Sequence, residues 1–132
     1  MTIDTSALVA ILFSEPGHLD LVDRILDADV VRIGAPTLVE VSMVFAGRRG
    51  KAKSKRIDDA VADLVRELDI TVVPFTEADW TVAADAAARF GRGRHKAALN
   101  FGDCLAYATA TTAGDTLLFV GNDFTHTDIK PA

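Results

Sequence analysis

Four carboxylates stand where a charge is expensive: Asp4, Glu40, Asp103 and Asp123. Asp4 is the one charge between Met1-Thr2-Ile3 and the apolar stretch from Ala7 to Phe13. Glu40 lies inside Leu38-Val39-Glu40-Val41-Ser42-Met43-Val44-Phe45. Asp103 opens the apolar run Cys104-Leu105-Ala106-Tyr107-Ala108, and Asp123 follows Leu117-Leu118-Phe119-Val120 through a Gly-Asn turn. A buried carboxylate is costly unless it is paired or binds a metal. Four brought together repel one another and raise each other's pKa. A divalent cation removes that penalty, and an all-oxygen donor set favours Mg²⁺, or Mn²⁺, over zinc. The single cysteine and three scattered histidines form no zinc pattern.

Each acid also has a purely structural reading. Asp4 fits a helix cap. Thr37-Leu38-Val39-Glu40 fits a capping box. Asp103 suits the positive end of a helix, and Asp123 suits an Asx turn. What sets the metal reading apart is where the elements place these residues.

Short apolar runs alternate with longer helical patterns, which predicts an α/β domain with a mostly parallel sheet. Strands are expected at Thr2–Asp4, Val30–Ala35, Ile70–Pro74 and Thr116–Val120, with a short edge strand at Asp128–Lys130. Helices are expected over Thr5–Phe13, around Leu19 to Leu26, from Pro36-Thr37 through Glu40, along Ile57 to Leu68, along Trp80 to Phe90, and from about Gly102 to Thr112. Gly47–Lys55 reads as a basic turn and Gly91–Lys96 as a mobile loop. On this pattern Asp4, Glu40 and Asp123 follow strand ends, and Asp103 begins the helix before the last long strand. Ligand sites in open parallel sheets lie at the carboxyl ends of strands. All four acids therefore share one edge. Thr5, Ser6, Asn100 and Asn122 are polar neighbours suited to orienting them.

The chain's 132 residues suit a single domain, 1–132, and a hydrophobic content of 49% predicts a folded core. No segment is long enough to span a bilayer. A lone cysteine makes no internal disulfide, so a cytoplasmic location is expected. The net charge of −5 argues against indiscriminate nucleic-acid binding. Yet ten of the fourteen Lys and Arg residues cluster in two segments. One holds Arg48, Arg49, Lys51, Lys53, Lys55 and Arg56; the other holds Arg89, Arg92, Arg94 and Lys96. Such clusters grip a phosphate backbone, or else are solvated loops.

Four stretches together resemble a PIN-domain ribonuclease, and more narrowly the VapC toxins. They are Ile3-Asp4-Thr5-Ser6-Ala7-Leu8, the isolated Glu40, Asn100-Phe101-Gly102-Asp103-Cys104-Leu105-Ala106-Tyr107-Ala108, and Leu117-Leu118-Phe119-Val120-Gly121-Asn122-Asp123-Phe124. The likeness spans essentially the whole chain. Asn122 departs from it, since many relatives carry a second acid there. The resemblance implies a three-layer α/β/α sandwich around a five-stranded, mostly parallel sheet. It implies endonucleolytic RNA cleavage leaving 5′-phosphate and 3′-hydroxyl ends. Asp4 and Asp103 would bind the metal directly, with Glu40 and Asp123 completing or orienting the site. Arg48, Arg49, Lys51, Lys53, Arg92, Arg94 and Lys96 would contact RNA. A VapB-like antitoxin and a homodimer are also implied. A bound divalent ion would polarise the scissile phosphate and activate water.

Other classes fit less well. A receiver module wants paired acids after its first strand, and only Asp4 stands there. A haloacid-dehalogenase-like phosphatase wants a second Asp two places on, where Ser6 lies. No glycine-rich loop supports a nucleotide-binding P-loop. A non-hydrolytic metal-binding module and a non-toxin housekeeping PIN nuclease remain as alternatives.

Overall fold

The strands are two or three residues long, and the first two lead almost at once into helices beside or within which Asp4 and Glu40 lie. In the computed structural model, which describes residues 1–49 and 54–132 apart from the side chains of Arg49 and 54–58, β1 is only Thr2–Ile3. Both its residues are buried. It pairs in parallel with β2 (Arg32–Gly34) and β4 (Leu117–Leu118), and β2 pairs with β3 (Thr71–Val73). The sheet order is β3-β2-β1-β4. The chain leaves β1 toward β2 and β3, then returns to the other side of β1 as β4. That reversal creates a crevice at the carboxyl ends of β1 and β4, the place where open α/β sheets bind ligands.

Six helices, α1 to α6, cover the sheet: Thr5–Leu12, His18–Leu26, Ala35–Arg49, Ser54–Glu67, Glu77–Phe90 and Phe101–Ala113. Two apolar clusters follow from this layering. One joins Ile3, Leu8, Ile25, Ile33, Val41, Phe45 and Leu118 on the side of α1 and α3. The other joins Ala83, Phe90, Leu99, Tyr107, Leu117 and Phe124 around α5 and α6. All four residues of β1 and β4 are buried, as expected of parallel strands covered on both faces.

The expected five strands reduce to four among the described residues. In place of an edge strand at Asp128–Lys130, Leu117 forms one parallel bridge with Pro131. Leu117 N donates to Lys130 O, and Ala132 N donates to Leu117 O. Proline has no N–H to extend the ladder. The Gly47–Lys55 turn is also shorter than expected, since α3 runs to Arg49 and α4 begins at Ser54. Gly91–Lys96, expected to be a mobile loop, is a hydrogen-bonded turn. Arg92 N donates to Leu99 O, Leu99 N donates to Phe90 O, and Arg94 N and His95 N both reach Gly91 O.

Candidate functional site

Asp4 leaves β1 and caps α1. Its backbone is extended, and its Oδ2 accepts from Ser6 N at 2.9 Å and Ser6 Oγ at 2.5 Å. The same Ser6 Oγ accepts from Val120 N at 2.9 Å, which ties the start of α1 to the chain beyond β4. The cap uses only one carboxylate oxygen. Oδ1 is buried with no hydrogen-bond partner among the described residues. An oxygen in that state costs about 1–3 kcal/mol or more unless a cation meets it. Burial is the main force raising the Asp4 pKa, and the hydrogen bonds from Ser6 only partly oppose it.

Asp103 is held by a reciprocal capping box. Asn100 Oδ1 accepts from Asp103 N at 3.1 Å, and Asp103 Oδ2 accepts from Asn100 N at 2.7 Å. Asn100 is thus the N-cap of α6. Burial pushes the Asp103 carboxyl up to about 6, and the negative charges of Asp4, Asp123 and Glu40 push the same way. Asp103 therefore feels each of the other three acids predicted from the sequence, and Asp4 feels Glu40.

A second acid shows what this box does without neighbouring charge. Asp79 holds the same place in α5, boxed with Thr76. Burial acts to raise its pKa, but hydrogen bonds from Thr112 and Thr76 outweigh that, and it ends below its ordinary value. Hydrogen bonds outweigh burial at Asp79; at Asp103 they do not. Asp79 was not singled out from the sequence, although Thr76-Glu77-Ala78-Asp79 carries the capping-box signal.

Glu40 does not form the capping box expected of it. Helix α3 starts at Ala35, so Thr37 is already inside the helix, where it is buried. Glu40 Oε2 instead accepts from Thr5 Oγ1 at 2.7 Å. Its carboxylate lies against Gly102: a Cβ there would sit 2.2 Å from Oε2 and 2.4 Å from Oε1. Glycine at this point makes room for Glu40 beside Asp103. Gly102→Ala should therefore displace the Glu40 carboxylate and cut cleavage by roughly tenfold or more, on the order of 1.4 kcal/mol. Alanine is the better helix former by up to about 1 kcal/mol, so lost helix stability would not explain that result. Cleavage rate and melting temperature measured together check it; an unchanged rate would show that Glu40's placement is immaterial.

Asp123 begins a 3-10 helix, Asp123–His126, and is exposed. Asn122 is exposed too, and only its carbonyl is engaged, accepting from Thr125 N and Oγ1. Among the described residues no three His, Cys, Asp or Glu side chains converge into a ready-made metal cage. Mutually repelling carboxylates have no reason to close up without a cation. Mg²⁺ commonly takes one or two carboxylates and keeps several waters. The orphaned Asp4 oxygen and the oxygen-only donor set fit such an ion.

The basic residues divide. Arg92, Arg94 and Lys96 are exposed. Arg48, expected to hold RNA, pairs with Glu15 and lies 5.0 Å over the Phe13 ring. The Arg49 side chain, Lys51 and Lys53 lie outside the described residues.

The parallel sheet with acids at its crevice is the arrangement of a PIN domain, and the PIN domain sequence profile matches residues 1–130. Ribonuclease VapC28 of Mycobacterium tuberculosis is 41% identical over 133 residues, covering 100% of this chain and 97% of that protein. Ribonuclease VapC36 of the same organism is 40% identical, covering 98% of this chain and 91% of that protein. The chain belongs to the PIN domain family and, within it, to the VapC ribonucleases. In fold it is similar to the Sarcin-Ricin loop cleaving toxin VapC20 of Mycobacterium tuberculosis, with a TM-score of 0.75 at 17% identity over 99% of this chain and 97% of that one. VapBC2 from Rickettsia felis, solved bound to a promoter DNA fragment, gives a TM-score of 0.75 at 12% identity, over 99% and 96% of the two chains.

Proposed function

We propose that this chain is a single PIN domain acting as a Mg²⁺-dependent endoribonuclease, the toxin of a toxin–antitoxin pair. The observation that carries the reading is the buried Asp4 Oδ1, without a partner among the described residues, together with an Asp103 whose pKa is raised first by burial and then by three neighbouring acids. Asp4 and Asp103 would hold the ion, with Glu40 and Asp123 completing or orienting the site. A bound divalent ion supplies Lewis-acid polarisation of a phosphate oxygen and water of lowered pKa; Mn²⁺ would serve as well.

The chain's own residues do the positioning. Ser6 fixes the bonded oxygen of Asp4, so the free one keeps a defined direction. Thr5 holds Glu40, and Asn100 holds Asp103. Asn122 sets the backbone from which Asp123 projects. No hydroxyl or thiol nucleophile is required, and cleavage would leave 5′-phosphate and 3′-hydroxyl ends. Arg92, Arg94 and Lys96 offer the positive charge for the RNA backbone.

The partner would be a VapB-like antitoxin. Leu19 and Leu26 on α2, and Val39 and Met43 on α3, are large exposed apolar side chains suited to its apolar segment. An Arg or Lys from it could pair with Asp4, Glu40 or Asp103 and replace the cation. No described helix is long and apolar enough to cross a membrane. We infer a cytoplasmic homodimer.

The test has two arms. Purified chain should cleave RNA in Mg²⁺ and lose that activity in chelator, and the new ends should carry 5′-phosphate. Induced alone it should arrest growth, and co-expressed antitoxin should relieve the arrest. Absence of metal-dependent cleavage sinks the nuclease; cleavage without toxicity at high soluble expression leaves a housekeeping nuclease.

A further inference from the structure

A groove of about 630 Å³ runs between α5 and α6, and its lining includes Asn100, the cap residue that holds Asp103. Its two most exposed large apolar side chains are Phe101, at 80% of full exposure, and Trp80, at 63%. Neither ring belongs to either core cluster. Each presents a large apolar face to water rather than to a core cluster of the described residues. Ala84 and Ala87 line the groove between them without filling it, and Arg92 and Arg94 stand along it. The groove thus joins aromatic faces to guanidinium groups on a chain whose net charge is −5. Its lining takes in Phe101 and Cys104, on either side of Asp103 in sequence.

Resting on the nuclease reading, we propose that this groove is a subsite for an unpaired base of the RNA substrate, stacked on Phe101 and Trp80 near the phosphate held at the acids. Every base has a π face, and proteins that bind single strands pair such faces with aromatic rings while cations follow the backbone. Arg92 and Arg94 supply those cations. A base held in a duplex is already stacked and cannot enter. The subsite therefore selects single-stranded or looped RNA over paired RNA, by shape rather than by hydrogen-bond readout. Continuity with the acidic site is what favours a nucleotide over a second copy of the chain: the groove and the Asp103 cap share Asn100.

The experiment uses the full chain carrying Asp103→Asn, so that RNA binds without being cut. Trp80 is the sole tryptophan, and its fluorescence reports the groove directly. A short unstructured RNA should quench it, and the same RNA annealed to its complement should not. Adding Phe101→Leu should weaken binding of the unstructured RNA by about 5- to 100-fold, the usual loss for one stacked base. Phe101→Tyr should leave the affinity essentially unchanged. Arg92→Ala with Arg94→Ala should lower the salt slope by about 1.4 while retaining the quench. Equal affinity of parent and Phe101→Leu, or equal affinity for duplex and single strand, overturns the proposal. So does conversion of a dimer to monomer by Phe101→Leu or Trp80→Ala, which would make the groove an interface between copies. If the wild-type chain cleaves RNA in Mg²⁺ and Phe101→Leu in that background cleaves equally well, only the subsite fails. If the wild type cleaves no RNA, the nuclease reading itself fails.

Discussion

Asp103→Asn, purified and assayed in Mg²⁺, should cleave RNA at least about 10³-fold more slowly than wild type while keeping its fold. The size follows from the several kcal/mol that a metal contributes by stabilising charge in phosphoryl transfer, at 1.36 kcal/mol for each factor of ten. The fold should persist because asparagine has the same shape, and its side-chain oxygen can still accept from Asn100 N as Asp103 Oδ2 does. Asp4→Asn should behave alike, since its oxygen can take over the bonds from Ser6. Each change also removes one charge from a cluster in which Asp103 feels Asp4, Asp123 and Glu40. The metal-free variants should therefore melt at or above the temperature of metal-free wild type. Circular dichroism, melting temperature and cleavage rate settle this together. Near-normal cleavage by Asp103→Asn would remove it from the metal site, and a collapsed spectrum would make it a purely structural cap.

That double character explains what could and could not be read from the residues. Isolated acids at the ends of apolar runs pointed to the crevice because a strand of two or three residues hands its next residue directly to the site. Asp4 after β1 is the clearest instance. For Asp4 the structural reading holds at one oxygen, which caps the helix, while the other is buried without a partner among the described residues. For Glu40 the local reading failed. A capping box needs Thr37 outside the helix, but β2 passes straight into α3 at Ala35. Where a helix begins depends on how the sheet delivers the chain, which local pattern does not record. Gly102 was legible only as part of a motif. Its reason lies 62 residues away in sequence, where Glu40 needs the space a Cβ would take. Phe101 enters the sequence reading only as part of the Asn100–Ala108 motif, yet it faces solvent. Exposure is set by what fails to pack on a residue, and the chain's own order does not show that. The last strand was over-read because apolar content alone suggested Thr116–Val120, while pairing partners extend only along Leu117–Leu118.

The metal-free protein should lose stability as the pH rises from about 4 to about 6.5, the reverse of ordinary acid denaturation. Burial first, and then three like charges, hold the Asp103 pKa at about 6 in the folded chain, and Asp4 is shifted in the same direction. An unfolded Asp titrates near 3.9. Between those values the folded state binds more protons than the unfolded state. Stability therefore falls with pH in that window; the contribution is fully present below about pH 4 and gone above about pH 6. For Asp103 the difference amounts to on the order of 2–3 kcal/mol. In a domain of this size that is a melting-temperature drop of about 5–10 °C. Asp79 and Asp128 work the other way, because hydrogen bonds from Thr112, Thr76, Tyr107 and Arg89 hold their values low. Their contribution is lost only as the pH falls below about 4, so the two effects occupy separate ranges. Mg²⁺ should reverse the neutral-pH loss, since an ion that binds only the folded state adds stability by mass action. Protons compete with it for the same oxygens, so its effect should be small near pH 5 and large near pH 7.5. The measurement is melting temperature against pH, in chelator and in Mg²⁺, for wild type and Asp103→Asn. The variant's metal-free curve should be flatter, and Mg²⁺ should raise it less. A metal-free wild type that grows more stable across this range, with no response to Mg²⁺, would show that the four acids carry no shared strain and hold no cation.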